Sequence, residues 1–187
     1  MTDLTDGNGS YHHGDLRAAL IAEGLRLLDG QGGGELSLRA AARNVGVSAT
    51  AVYRHFPDKD ALLAALAEEG FRRLGEAQRA AFDAAPAGGG TAFCATGAAY
   101  VRFALKNPAL FRLMFSGPAM ASRQSDAATF LRANATALAP AGVDPKVFAL
   151  RAWSVAHGLA MLMLDGLAPA DDAMIDRVIA SQLQARD

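Results

Sequence analysis

Residues 36–66 read LSLRAAARNVGVSATAVYRHFPDKDALLAAL, and this stretch decides the fold because it carries the signals of three consecutive helices. Ser37 is a good N-cap for a first helix, and Gly46 suits the left-handed backbone that ends one. Ser48 and Asp58 can cap a second and a third helix, and the proline between them stops the second. The pattern predicts a helix-turn-helix followed by the start of a longer helix.

The second of these helices carries polar and basic groups that a small core does not need. Val52 and Phe56 give it an apolar face, which leaves hydroxyl, guanidinium, imidazole and phenol groups for the other face. Such a helix fits the major groove of B-DNA, where these groups contact phosphates and base edges. The alternative is an ordinary solvated helix, but periodicity alone does not produce this order of caps, glycine turn, aromatic-basic cluster and proline. The predicted DNA contacts here are Ser48, Thr50, Tyr53, Arg54, His55 and Lys59.

The stretch VGVSATAVYRHFPDKDALLAAL is similar to the DNA-binding signature of the tetracycline-repressor (TetR) family of bacterial transcription regulators. The upstream YHHGDLRAALIAEGLRLL resembles the first helix of that family. Further on, NPALFRLMFSG and AWSVAHGLAML resemble a subgroup with a Trp, His and Gly signature, here Trp153, His157 and Gly158. The resemblance implies an all-α homodimer that binds a palindromic operator and releases it when a small ligand occupies the C-terminal domain.

The same resemblance implies DNA contacts residue by residue. It matches Arg39 in the first helix of the motif, Ser48, Thr50, Tyr53 and His55 in the second, and Lys59 after it. One position departs from the family pattern: the residue two before Tyr53, commonly a threonine, is Ala51, and Thr50 is displaced by one residue. Alanine can touch a thymine methyl group but cannot donate a hydrogen bond, which leaves the base preference at this point open.

Composition and charge bound the kind of protein this can be. The chain has 187 residues, of which 51% are hydrophobic and 20% charged, enough for a real core. Residues 11–73 carry eight Lys and Arg against eight Asp and Glu, which favours dimeric, site-specific DNA contacts over coating of nucleic acid or a membrane surface. The single cysteine, Cys94, excludes an intramolecular disulfide, and no secretory leader is visible, so we expect a reducing cytoplasm.

Three segments are predicted: a disordered tail at 1–10, a helix-turn-helix DNA-binding domain at 11–70, and an effector-binding and dimerisation domain at 71–187. The third helix of the motif is expected to continue as a long connector that ends before Pro86 and the glycines after it. Beyond it, the segment at 122–138 is expected to be less regular than its neighbours. The other helices are predicted at 91–107, 108–115, 144–164 and 171–184.

The helix predicted at 144–164 is apolar nearly all round and approaches the length of a membrane span. Arg151 and His157 in its middle favour a buried bundle helix, with one face for a cavity and another for a second subunit. An apolar chamber with one titratable group is typical of a small-molecule site, although methionine and aromatic stripes more often form core. The candidate ligand contacts are Phe103, Phe111, Met114, Trp153, His157 and Met161.

The leading hypothesis is a repressor that binds operator DNA as a homodimer and responds to a small hydrophobic or aromatic effector. Two alternatives stay open: an enzyme that uses the C-terminal cavity, and a module whose C-terminal surface binds a small molecule or a protein partner. No nucleophile-base pair, metal triad or phosphate loop stands in the sequence, so neither a catalytic residue nor a cofactor is expected. The adjacent His12 and His13 point apart on a helix, which argues against a metal site.

Overall fold

The computed structural model describes residues 13–30, 36–86, 89–116 and 126–184, and these residues form nine α-helices and no strand. The all-α prediction is therefore confirmed. The tail predicted at 1–10 and the side chains of His12 and His13 fall outside the described residues. The helices are α1 (His13–Leu28), α2 (Leu38–Val45), α3 (Ala49–Tyr53), α4 (Lys59–Ala84), α5 (Gly89–Lys106), α6 (Pro108–Met114), α7 (Asp126–Leu138), α8 (Pro145–Leu164) and α9 (Asp172–Gln184).

The chain divides into two compact units, Met1–Leu62 and Leu63–Asp187. The division falls inside α4, and so does the domain boundary predicted at residue 70. In the first unit α2 packs against both α1 and α3. Its centre consists of side chains that are at most 2% exposed: Leu20, Ala41, Val52, Phe56 and Leu62.

A capping hydroxyl and a glycine fix the two ends of α2. The Ser37 hydroxyl accepts a hydrogen bond from the Ala40 amide at 3.1 Å, as expected of an N-cap. Gly46 has a φ of 78°, and the Val47 amide donates to the Ala42 carbonyl at 3.0 Å. This is the Schellman arrangement, in which a left-handed residue satisfies the last carbonyls of a helix.

The same kind of cap begins the next two helices. The Ser48 hydroxyl accepts from the Ala51 amide at 3.3 Å, and the Asp58 carboxylate accepts from the Ala61 amide at 2.8 Å. Helix α3 ends at Tyr53, earlier than the proline stop predicts, because the chain turns at the next two residues before Phe56 enters the core. The predicted starts of α3 and α4 are thus confirmed, and α3 is one short helix of 5 residues.

The second unit is built around α8, which packs against α5, α7 and α9. The Phe93 and Phe148 rings stack at 5.5 Å between centroids, which joins α5 to α8. The expectation of a less regular segment at 122–138 is wrong for its described part, because α7 is a continuous helix over Asp126–Leu138. Alanine is the strongest helix former, and Ala135 is fully buried in the cluster around Phe148.

Helix α8 is the one helix in the described part of the chain with the length and apolarity to cross a membrane. Length and composition alone support that reading, and a core helix passes the same test. Its packing against three other helices and its buried residues, among them Phe148, Ala156 and Leu159, match the predicted bundle helix. Only 39% of the span is buried, so α8 also has a substantial exposed face.

Candidate functional site

The first candidate site is the exposed side of the helix-turn-helix. Tyr53, at the end of α3, is 47% exposed, although large aromatic side chains usually seek burial. Val52 beside it is fully buried, so α3 presents its phenol outward because its aliphatic neighbour faces inward. The Arg17 guanidinium of α1 lies over the Phe56 ring, 5.5 Å from its centroid.

The other predicted DNA-contacting residues also reach solvent. The side chains of Arg39, Thr50, Arg54 and Lys59 are exposed, and His55 is half-buried. Ser48 is exposed too, but its hydroxyl oxygen already accepts the capping hydrogen bond of α3. The geometry leaves Ser48 a hydroxyl proton to donate, so a cap and a phosphate contact are compatible. Contact of these residues with DNA stays a prediction.

A polar network holds α2 against α1. The Glu23 carboxylate accepts from the Arg26 guanidinium at 2.8 Å and from the Asn44 amide at 2.7 Å. These hydrogen bonds, that of Arg26 above all, lower the pKa of Glu23. Because Asn44 lies in the last turn of α2, its bond ties the end of α2 to α1.

The second candidate site is a cavity of about 470 Å³ inside the second unit. Its size falls in the range of small-molecule sites, and residues of α4, α5, α7, α8 and α9 line it. Apolar side chains such as Phe93, Leu131 and Ile179 make up most of the wall. The polar and thiol groups in the wall are those of Gln78, Cys94, Thr96, Tyr100, Arg132 and Trp153.

Helix α4 contributes Phe71, Leu74 and Gln78 to this wall. Near this wall α4 passes close to the Met114 side chain of α6: a Cβ atom at Gly70 would stand 2.7 Å from the Met114 sulfur. The helix that begins at the end of the helix-turn-helix thus forms one side of the cavity further along its length.

Three side chains form a hydrogen-bonded chain beside the cavity. The Trp153 indole N–H donates to the Tyr100 hydroxyl oxygen at 3.2 Å, and that hydroxyl lies 2.8 Å from Nδ1 of His157. An indole N–H can only donate, so we assign the Tyr100 proton to the bond with an unprotonated Nδ1. Burial lowers the pKa of His157 and raises the pKa of Tyr100, which favours the neutral form of both.

Only one of the six predicted ligand contacts lies in the cavity wall, namely Trp153. His157 is connected to the wall through Tyr100. The other four residues, Phe103, Phe111, Met114 and Met161, lie outside the cavity wall, and their contact with a ligand stays a prediction. The first three are buried in the core, where the Phe111 ring packs edge-on against Tyr100 at 5.5 Å.

The contribution of α4 to the cavity wall was not predicted from the sequence, and neither were those of Tyr100 and Phe115. A signal was available, because Ala67, Phe71, Leu74 and Phe82 form an apolar stripe at helical spacing, and Gln78 occupies a position of that stripe. A polar residue on a buried face calls for a polar partner or a ligand. No comparable signal marks Tyr100, whose aromatic ring fits an ordinary core position.

Two family models match the chain. The model described as "Bacterial regulatory proteins, tetR family" matches residues 20–66, which include α2, α3 and the start of α4. The model described as "Tetracyclin repressor-like, C-terminal domain" matches residues 93–185, which include most of the cavity wall.

Curated relatives and solved structures agree with these matches. HTH-type transcriptional regulators of Mycobacterium tuberculosis and Mycobacterium bovis are 33% identical over 104 residues, which is 55% of this chain and 44% of each relative. A structure of a protein of unknown function from Rhodococcus sp. RHA1 is 35% identical with a TM-score of 0.75, covering 95% of this chain and 96% of that one. A TetR family regulator from Marinobacter aquaeolei VT8, 20% identical with a TM-score of 0.65, covers 91% and 94% and shares the fold.

Proposed function

The chain belongs to the TetR family of DNA-binding transcription regulators, and on this premise we propose that it is a ligand-responsive repressor of the bacterial cytoplasm. It binds a palindromic operator as a homodimer and releases the operator when a small hydrophobic or aromatic effector fills the cavity. Within the family we place it in the subgroup with the Trp, His and Gly signature. The hydrogen-bonded chain from Trp153 through Tyr100 to His157 supports that placement.

The observation that carries the ligand response is the share of α4 in the cavity wall. Phe71 and Leu74 face the cavity on a helix that starts at Lys59, directly after the helix-turn-helix. An effector that packs better against one position of α4 than another shifts the population of the two positions. It can do so only by its difference in affinity between them, and that difference sets the loss of operator affinity.

The exposed residues of the helix-turn-helix support the DNA-binding half of the proposal. Donors to base edges and phosphates come from Thr50 and Tyr53 in α3 and from Arg54 directly after it. Arg39, before α3 in the sequence, and Lys59, after it, add positive charges. In a dimer the two copies of α3 enter successive major grooves roughly 34 Å apart. Because the two copies of α3 must keep this distance, operator affinity should depend on the geometry of the dimer.

The exposed face of α8 supports the dimer. Val147, Leu150, Ser154, Gly158 and Leu162 recur three or four residues apart and so share one side of the helix. The three aliphatic side chains of this set are 59%, 58% and 46% exposed, in order along the chain. A Cβ atom at Gly158 would meet nothing within 4 Å, which leaves room for a second helix to approach. We call these five residues the α8 face.

Selection of bound fragments from sheared genomic DNA of the source organism tests the DNA-binding half. The wild-type protein is compared with Tyr53→Ala and with Leu167→Ala, a control that truncates a side chain 73% exposed in the second unit. We expect wild type and control to recover one palindromic site whose affinity falls steeply with salt, and Tyr53→Ala to lose it. Equal recovery of a diffuse background by all three proteins would refute sequence-specific binding.

The proposed ligand response is tested with the operator DNA that the selection recovers. Compounds that raise the melting temperature of the protein are titrated into the protein–operator complex, and operator affinity is measured. We expect stabilising compounds to weaken operator binding. Compounds that stabilise the protein but leave operator affinity unchanged would refute the coupling and favour a binding module without a ligand response.

A further inference from the structure

Gln78 is an unusual member of the cavity wall because it is polar and 6% exposed. Its amide nitrogen donates to the Thr96 carbonyl at 3.4 Å, which is the long limit of a hydrogen bond. Its oxygen Oε1 is buried and has no hydrogen-bond partner among the described residues. Among the described residues, it is the one buried side-chain oxygen or nitrogen atom without a hydrogen-bond partner.

The orientation of this amide follows from its neighbour. The Thr96 carbonyl can only accept, so the amide nitrogen faces it and the oxygen points elsewhere. Gln78 lines the cavity, and the long bond to Thr96 restrains its amide only weakly, so we infer that rotation about the last side-chain bond can turn the buried oxygen toward the cavity. The acceptor is therefore within reach of a molecule in the cavity.

The other polar groups of the wall, Arg132 apart, have already used their donors inside the protein. The Thr96 hydroxyl donates to the Phe93 carbonyl at 2.7 Å, and the Trp153 indole donates to Tyr100. The Tyr100 proton is assigned to His157, and the Cys94 thiol lies 3.7 Å from the Ile179 carbonyl oxygen. Arg132 also lines the cavity, but it is exposed and solvated. The buried side-chain atom of the wall that lacks a partner is thus an acceptor, the Gln78 oxygen.

An apolar ligand without a donor leaves this acceptor unsatisfied. Water that enters the cavity can donate to Gln78, and a ligand that displaces the water must donate in its place or lose that bond. A buried polar group left unpaired is costly, and sites built around one discriminate strongly against analogues that lack the matching group.

We propose that the effector is an apolar molecule carrying a hydroxyl or N–H group, and that Gln78 selects it by accepting a hydrogen bond through Oε1. This inference rests on the proposed function, which supplies the existence of an effector. It adds the chemical class of that effector. Gln78 is accordingly a specificity-determining residue, and Phe71 and Leu74 supply apolar contact beside it on α4.

The test uses probe pairs of similar size and shape in which one member carries a hydroxyl donor and the other is an ether. 2-Naphthol is compared with 2-methoxynaphthalene, and 1-decanol with methyl nonyl ether, and each dissociation constant is measured by equilibrium dialysis on the full chain. For at least one pair, we expect wild type to bind the donor member about tenfold more tightly or better. Gln78→Met keeps the length of the side chain but replaces the amide oxygen with a weakly accepting sulfur, and we expect it to lose the donor preference.

The ether is the internal control for the variant, because unchanged or tighter ether binding shows that the cavity of Gln78→Met is intact. Equal affinity of wild type for both members of both pairs would overturn the proposal, and so would a donor preference that survives in Gln78→Met. Binding of none of the four probes would overturn it as well.

The outcomes separate this inference from the proposed function. Dialysis needs no DNA, so a donor preference without any effect on operator affinity would leave ligand selection by Gln78 standing and remove the ligand response. Loss of the donor preference with operator binding still sensitive to other compounds removes the inference alone.

Discussion

The hydroxyl of Tyr100 lies 2.8 Å from Nδ1 of His157, and it serves as the donor in that bond because the Trp153 indole occupies it from the other side. Tyr100 is buried and His157 half-buried, so the pair joins α5 to α8 through a polar contact within an aromatic environment. The Phe115 ring lies 4.7 Å from the imidazole, edge to face. The bond requires an imidazole that carries no proton at Nδ1.

Stability should therefore fall when the solution is acidified below pH 6.5. Burial lowers the pKa of His157 from 6.5, so at pH values just below 6.5 the unfolded chain binds a proton that the folded protein does not. Denaturant unfolding of wild type and His157→Asn at pH 7.5 and 5.5 checks this, because the asparagine oxygen can accept from Tyr100 without titrating. We expect wild type to lose more stability on acidification than the variant. Parallel losses would contradict the prediction.

Ser48 should have two roles, one in stability and one in DNA binding, that different substitutions can separate. Its hydroxyl caps α3, so Ser48→Ala should cost about 1 kcal/mol of unfolding free energy, whereas Ser48→Asp keeps a capping oxygen and most of the stability. Next to a phosphate the added carboxylate should nevertheless weaken operator binding. Urea unfolding and DNA titration measure the two effects. An aspartate variant that binds the operator as wild type does would place the phosphates away from Ser48.

The α8 face should decide the oligomeric state. The Cβ atom of Gly158→Leu meets nothing within 4 Å in the single chain, so the variant should gain about 0.5–1 kcal/mol of helix stability, yet the new side chain should obstruct a closely packed second helix. Leu162→Glu should split the dimer by placing a charge in the same face. Light scattering reports the mass, with Ala133→Glu on the exposed side of α7 as the control. A monomeric wild type, or variants that remain dimeric, would exclude this face.

Cys94 should react slowly with thiol reagents and more slowly still when the cavity is full. Burial raises the pKa of its thiol, which reduces the reactive thiolate at neutral pH. Labelling by N-ethylmaleimide, followed by mass spectrometry, gives the rate, and saturation with a bound probe should lower it further because Cys94 lines the cavity. Since the chain has one cysteine, Cys94→Ser is a complete blank. Labelling at the rate of a free thiol, unaffected by the probe, would contradict the assigned position.

Helix ends were predictable wherever a local side chain controls them. Ser37, Ser48, Asp58 and Asp144 each accept the capping hydrogen bond that their chemistry indicates, and Gly46 adopts the left-handed backbone. These interactions join residues two to four apart, so the sequence carries all the information. The length of α3 was overestimated because burial of Phe56, a tertiary effect, and not Pro57, sets the path of the chain after Tyr53.

The cavity was less predictable because it depends on contacts between distant residues. Phe111 and Trp153 are both large aromatic residues in apolar stretches, and the pattern does not tell which one reaches a space and which one fills the core behind it. The Met114 side chain of α6 packs against Gly70 of α4, a contact between residues far apart in the sequence. A glycine in a long helix hints at such a contact but does not name its partner.

The chain contains one tryptophan, and Trp153 stands in the cavity wall with its indole N–H bound to Tyr100 and 39% of its surface exposed. All indole emission of the protein therefore comes from this one wall, with no second fluorophore of the same kind to dilute it. A molecule that enters the cavity changes the polarity around that ring and shifts its spectrum. The intrinsic fluorescence of Trp153 therefore reports whether the cavity is occupied, without an added label.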